Sequence, residues 1–374
     1  MVTSRARGRW AALLLAGLTP VVAELTLGNP PLRQAWLLLL WVPIYGAGTV
    51  LIRELVRRTG RGWLAILLLG AAYGIVEEGL ALQALTSPTI YGVADWAPRI
   101  LGLNSAYTEL NIPYHAVFSV ALPILLVDLV VPDLRHRPYL GRTGLAVAGV
   151  VFVLGALLLR WTTAFIDPGY QAPPTMLAAF ALTIAVLTVL ALRFTPRPRN
   201  LPSTPPRTVP TPPDVPSTAP RTTPASPDVP ATPPRTTPTP PDVPAAAPRT
   251  TPTPPVVACL AGVAAFGYLA LLFPFGGAQH PAFTQGGWVA VPMVAAALLA
   301  VAAGVLLRRW TAHDGWRDQH SLALAGGALV AHTVFGVIAN GENTTDRVSL
   351  AALGLVMIAL LTLFARRDRI FGAQ

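Results

Sequence analysis

The sequence predicts an all-α, polytopic transmembrane helix bundle of about ten spans, with a disordered, Pro-rich cytoplasmic linker between the sixth and seventh. Three observations predict it. The 374 residues are 53% hydrophobic and only 12% charged, with a mean hydropathy of +0.55, whereas a soluble domain carries about 25% charged residues. Apolar runs of about 17–23 residues, the length a hydrocarbon core of roughly 30 Å demands, recur ten times. All 27 basic residues are Arg, and they segregate to alternate connections. Together these exclude a soluble enzyme, a disordered chain and a disulfide-stapled secreted domain. The single Cys259 can form no internal disulfide.

The expected spans are 11–28, 34–52, 62–83, 112–132, 144–165, 174–194, 256–275, 287–307, 321–340 and 348–365. The first follows Arg5, Arg7 and Arg9 in the manner of a signal peptide. Pro20 and Glu24 within it, and the lack of a small-residue cleavage site before Gly28, make it a retained span. With the N-terminus inside, 23 Arg fall in inner segments, and only Arg33, Arg99, Arg160 and Arg347 fall outside. The positive-inside rule predicts such a split, which places both termini in the cytoplasm, in a bacterial inner membrane. Scattered through six inner segments, the +10 balance fits topology and the lipid bilayer rather than nucleic acid.

Residues 196–255 hold 23 of the 39 prolines in a 14-residue repeat, PRTVPTPPDVPSTA and its variants. Proline fixes φ and removes the backbone donor, so the segment reads as a polyproline II tether of at most roughly 190 Å at about 3.1 Å per residue. Each repeat holds an Arg-x-x-Pro-x-x-Pro motif (Arg235, Pro238 and Pro241 in the third). Over 207–255 the spacing suits a polyproline-reading partner, and low-complexity expansion in a tolerant loop is the competing explanation. The tether divides the chain into a six-span bundle (1–195) and a four-span bundle (256–374).

Charge at membrane depth is the functional signal, because an ionised side chain at the centre of a span costs roughly 2.5–3.5 kcal/mol. Glu24, Glu77 and Glu78 lie well inside spans, and Asp128 lies near an inner end. In the third span Gly70, Gly74 and Glu78 recur every four residues, a small-residue stripe that admits another helix where Glu78 points. Tyr73 sits one turn from Glu77. His115 opens the fourth span beside Asn111 and Ser119, and His332 lies in the ninth with Gly336 and Asn340 on its side. Glu24, Glu77, Glu78, His115, His332 and Asn340 share the middle-to-outer half of the bilayer. His136, His280, His313 and His320 fall in loops.

Two chemistries suit this set. Glu78, His115 and His332 can hold Zn²⁺ with an open position for water while Glu77 takes the proton. Alternatively, Glu and His in series relay protons or bind a cation in a secondary transporter or proton-coupled permease. A purely structural membrane protein, in which these groups pair with one another, is the third reading. No cofactor-binding motif, phosphate loop, Cys-pair site or Ser-His-Asp order is present. The longest external segment, 84–111, carries Tyr91, Trp96 and Tyr107, an aromatic set that suits an interfacial belt or a cap over the cluster.

The stretches LTPVVAELTLGNPP, PIYGAGTVLIRELVRRTGRGW and AAYGIVEEGLALQ resemble uncharacterised multi-pass proteins of high-GC bacteria, which implies a membrane fold and no activity. The order Glu-Glu, His, His, Asn is similar, more distantly, to the CAAX-protease and bacteriocin-processing (CPBP) family of intramembrane metalloproteases. That family's pattern is EExxxR, FxxxH and HxxxN or HxxxD on separate helices. Glu77 and Glu78 match the paired glutamates, His115 the second motif and His332 the third. Leu82 stands in place of Arg, Asn111 in place of Phe and Gly336 in place of Asn or Asp, with Asn340 a turn later. The resemblance implies an intramembrane metalloprotease with Glu77, Glu78, His115 and His332 as catalytic groups.

Overall fold

A computed structural model of the chain describes residues 4–95, 98–197, 251–273, 281–284 and 286–371. It is all-α apart from one short hairpin. Ten helical segments among these residues are long and apolar enough to cross a membrane: Arg5–Leu27, Leu32–Arg58, Trp63–Ala81, Ser105–Val130, Arg142–Ile166, Pro174–Phe194, Pro254–Leu272, Gly286–Thr311, Asp318–Ala339 and Thr344–Arg366. They match the ten expected spans one for one. Residues 198–250, with their Arg-x-x-Pro-x-x-Pro motifs, lie outside the described residues, as do Trp96 and His280.

The first span begins at Arg5 rather than at 11, and two other boundaries differ from expectation for a physical reason. The second span runs on to Arg58, because its charged last turns satisfy one another and the neighbouring loop instead of reaching for water. The fourth begins at Ser105, where extended Asn104 starts the helix and its carbonyl accepts the Thr108 hydroxyl at 2.8 Å.

The connections gather at two ends. At one, Arg7 pairs with Asp133 (2.9 Å), Arg61 donates to the Arg193 carbonyl (2.8 Å) and Arg135 pairs with Asp318 (2.7 Å). At the other, Arg33 pairs with Glu342 (2.6 Å) and with Asp346, and Ser87 donates to Asp167 (2.6 Å). Alternate connections therefore share an end, as ten antiparallel passes require. We refer to these as the basic end and the far end.

Lipid tails are as apolar as Leu, so helices in a bilayer associate through close packing and polar contacts rather than through water exclusion. Pro20 has no N–H for the Ala16 carbonyl, and Gly46 of the second span lies so close to that carbonyl that a Cβ would overlap it. One core joins Leu15, Ile44, Val56, Ile66, Leu69 and Ile124 from the first four spans. A second joins Val22, Tyr114 and Phe118 to Leu269, Leu329 and Phe335 of the seventh and ninth. The fifth, sixth and tenth spans keep most of their apolar surface exposed, Leu157 and Leu355 among it, as helices facing lipid do.

At the far end the connection after the third span is a folded cap. Arg99–Ile100 and Leu103–Asn104 pair antiparallel across Leu101 and Gly102, both at positive φ, as a two-residue type I′ turn needs. The Asn104 amide donates to the carbonyls of Ala84 and Ser87 (2.8 Å each), and the Gln83 side chain accepts from the Ala172 N–H (2.7 Å).

Candidate functional site

The first four spans each depart from regular α-helix in their far half, and each departure carries a polar side chain. The first helix stops at Ala23. Glu24 follows, then a 3₁₀ turn over Leu25–Leu27 and Gly28 at φ 81°. The second widens into a π turn over Val42–Gly46, where Pro43 has no N–H to give, and this turn presents Tyr45. The third widens over Val76–Ala81, bringing Glu77 and Glu78 inward, and the fourth over His115–Ala121, with His115 and Ser119. Such bulges concentrate at functional sites, because they re-aim side chains at a cost the packing must offset. A further π turn, Leu190–Phe194, ends the sixth span and carries none of these residues.

These turns converge on one buried cluster. The stripe of Gly70 and Gly74 receives the fourth span at Ala116 and His115, so the small residues admit the helix that the sequence called for. His115 Nε2 lies 3.1 Å from Glu78 Oε1, and its Nδ1 lies 3.0 Å from Ser119 Oγ and 3.4 Å from Glu77 Oε2. The Tyr107 hydroxyl donates to Glu78 Oε2 at 2.9 Å. Across the cluster Glu24 accepts from the Tyr45 hydroxyl at 2.5 Å and the Asn29 amide at 3.0 Å. Glu24, Glu77, Glu78 and His115 are near enough to interact electrostatically. The rings of Tyr45, Tyr73 and His115 lie with centroids 5.8–6.2 Å apart, and each of the three residues interacts with Glu77. Glu77 is 2% exposed, yet among the described residues its Oε2 closes no well-formed hydrogen bond; the Tyr73 hydroxyl faces the carboxylate without closing one either.

His332 is fully buried but sits on the other side of Tyr114. Its Nε2 meets the Tyr114 hydroxyl at 2.8 Å, and its Nδ1 meets Thr26 Oγ1 at 3.2 Å. Phe118 stacks on its ring with centroids 4.4 Å apart. Tyr114 also donates to the Ala23 carbonyl that the helix break releases. Asn340 does not reach the cluster either; its amide donates to Leu27 O at 2.9 Å. Gly336 lies against that same carbonyl with no room for a Cβ, which is why Asn or Asp could not stand there. Both nodes hold the broken end of the first span.

The residues present therefore do not fit a zinc site. Both ring nitrogens of His332 already have hydroxyl partners, and His115 faces Glu78 and Ser119. Among the described residues no three His, Cys, Asp or Glu side chains are disposed to hold a metal ion. Leu82, buried and apolar, supplies no substitute for a cation beside the glutamates.

The chain matches a family described as "Uncharacterized membrane protein family" over residues 13–213, more than half its length. It belongs to that family. The family region contains Glu24, Glu77, Glu78 and His115, whereas His332 and Asn340 lie beyond it. No curated protein and no solved structure matches the chain. None of these comparisons points to the CAAX-protease and bacteriocin-processing family.

Sequence reasoning missed Tyr45, Tyr114 and Asn29 as donors, and named Tyr107 for a belt or cap rather than as the donor to Glu78. Pro43 and Pro113 inside apolar runs are the signals that mark where the helices loosen. It also put His320 in a loop. His320 lies in the first turn of the ninth span, stacked on Trp316, with Nδ1 accepting the Arg317 N–H at 3.1 Å.

Proposed function

We propose that this protein is a secondary transporter of the proton- or cation-coupled kind, with Glu24, Glu77, Glu78 and His115 as its ion-exchanging cluster. One observation carries the reading. Three buried carboxylates share a single imidazole, and among the described residues no Arg pairs with any of them. Three anions and at most one cation cannot stay ionised together away from water, so the cluster holds protons or a bound cation. Broken and widened helices at membrane depth support the same conclusion, because irregular backbone there is tolerated where it lines a site. The segregation of Arg supports a cytoplasmic basic end in a bacterial inner membrane, with the cluster nearer the outside.

Proteoliposomes with an internal pH-sensitive dye test this against a panel of small solutes and imposed voltages. The expected result is solute- or voltage-driven proton movement that Glu24→Gln and Glu77→Gln each abolish. No movement under any condition, or movement equal in both variants, would overturn it.

A further inference from the structure

Resting on the transport reading, the hydrogen bonds divide the labour among the three glutamates. We infer that Glu77 is the exchange point, that the ion it exchanges is a proton, and that Glu24 and Glu78 are fixed positioning groups. Each oxygen of Glu24 already has a donor, Tyr45 on one and Asn29 on the other. Each oxygen of Glu78 likewise faces a donor, His115 on one and Tyr107 on the other. Among the described residues, Glu77 is the one of the three with a buried oxygen that closes no well-formed hydrogen bond; the Tyr73 hydroxyl faces its carboxylate without closing one.

The groups facing Glu77 come from four spans: Glu24 from the first, Tyr45 from the second, Tyr73 and Glu78 from its own, and His115 from the fourth. Tyr91, Tyr107 and Tyr114 face it at longer range. A hard metal cation needs roughly six oxygens around it. Here the carboxylate oxygens of Glu24 and Glu78 are occupied by O–H and N–H donors, leaving Glu77 Oε2 and the Tyr73 hydroxyl. An organic ion would have to part the rings of Tyr45, Tyr73 and His115, whose centroids lie 5.8–6.2 Å apart beside a carboxylate only 2% exposed, with Gly74 packed directly on His115. A proton needs only the free oxygen. His115 Nδ1, 3.4 Å from Glu77 Oε2, is the nearest group to receive it. In that step the Glu77 O–H bond breaks, the N–H bond forms, and the Glu77 carboxylate and the His115 imidazolium result.

Infrared difference spectroscopy of the full-length protein in lipid tests this without a known solute. Wild type should show a carboxylic-acid carbonyl band that changes with pH, is unmoved by sodium at constant pH, is lost in Glu77→Gln and persists in Glu24→Gln. A band that survives Glu77→Gln, or that sodium displaces, overturns the assignment. Should Glu77→Gln fail to fold, Tyr73→Phe serves: it should shift the band's frequency, and an unchanged spectrum counts against the proposal. The transport reading fails separately. The band can behave as expected without any flux, and flux can persist while the band maps to another glutamate.

Discussion

Two regions bury charge in this molecule, and they do it in opposite ways. At the basic end Arg53 (0% exposed) lies against Asp128 (1% exposed), with Nη2 and Nε at 2.8 and 3.1 Å from Oδ1. Arg57 takes the other oxygen at 2.8 Å. Glu54 accepts the backbone N–H of Tyr139 at 2.5 Å and of Leu140 at 3.3 Å, with Arg58 also at 3.3 Å. Arg53 completes its fork on the carbonyls of Leu134, Arg135 and Arg137, and its guanidinium lies 3.3 Å over the Tyr139 ring. Every carboxylate oxygen there has a donor, and cations outnumber anions. In the far half anions outnumber the single imidazole, and one oxygen is left over. A network whose carboxylate oxygens are all filled, with Arg57 Nε left over as a spare donor, fixes the second and fourth spans to the loop at 131–141; one with a spare oxygen is available for exchange. Buried charge alone marks neither role, and the balance of donors separates them.

The largest expected effect tests that separation directly. Asp128→Asn leaves Arg53 buried without its anion, and breaking one side of such a pair costs about 3–5 kcal/mol. Glu77→Gln removes an acid with an unfilled oxygen and should leave thermal stability in detergent unchanged or higher. Melting curves of the two variants check this. Equal losses in both would mean that the acid cluster is as structural as the basic end.

The second prediction concerns how the break in the first span is held. Gly336→Ala drives a methyl into the Leu27 carbonyl and should cost about 1–3 kcal/mol by overpacking. Gly304→Ala, with open space around it, should cost nothing. Unfolding midpoints of the pair give the comparison, and a neutral Gly336→Ala would show that the break needs no such close approach.

What the sequence made legible follows the same division. Glu24, Glu77, Glu78 and His115 stood out because charge in apolar runs is costly, and Gly70 and Gly74 indicated where the partner helix would come. Depth in a membrane can be read from position along a span, so His332 was placed at the right level. Which side of the bundle it faces depends on how separate helices rotate against one another, and Tyr114 turned out to stand between the two histidines. Arg53 and Glu54 read as loop residues because hydropathy ends a span at the first charges. Their mutual satisfaction with Asp128 and Tyr139 was invisible without the fold. The donors Tyr45 and Tyr114 were hidden for a related reason, since a Tyr in an apolar run looks the same whether it faces lipid or a carboxylate.

The smallest expected effect sharpens the contrast from the basic side. His136 lies outside the spans, where burial and then the charges of Arg57 and Arg135 hold its imidazole below the ordinary histidine range, with Asp128 opposing them. The folded protein therefore resists a proton that the unfolded chain accepts near its ordinary value of 6.5. The stability His136 contributes is intact above that pH and is lost as pH falls through the lower folded value. His136→Gln should remove that decline. Melting temperatures of wild type and variant, followed from about pH 8 to about pH 5, isolate it, because the acid cluster is common to both. Parallel curves would mean that the Arg residues around His136 are neutralised by Asp128 and the carbonyls. The basic end would then repel protons no more than the acid cluster does.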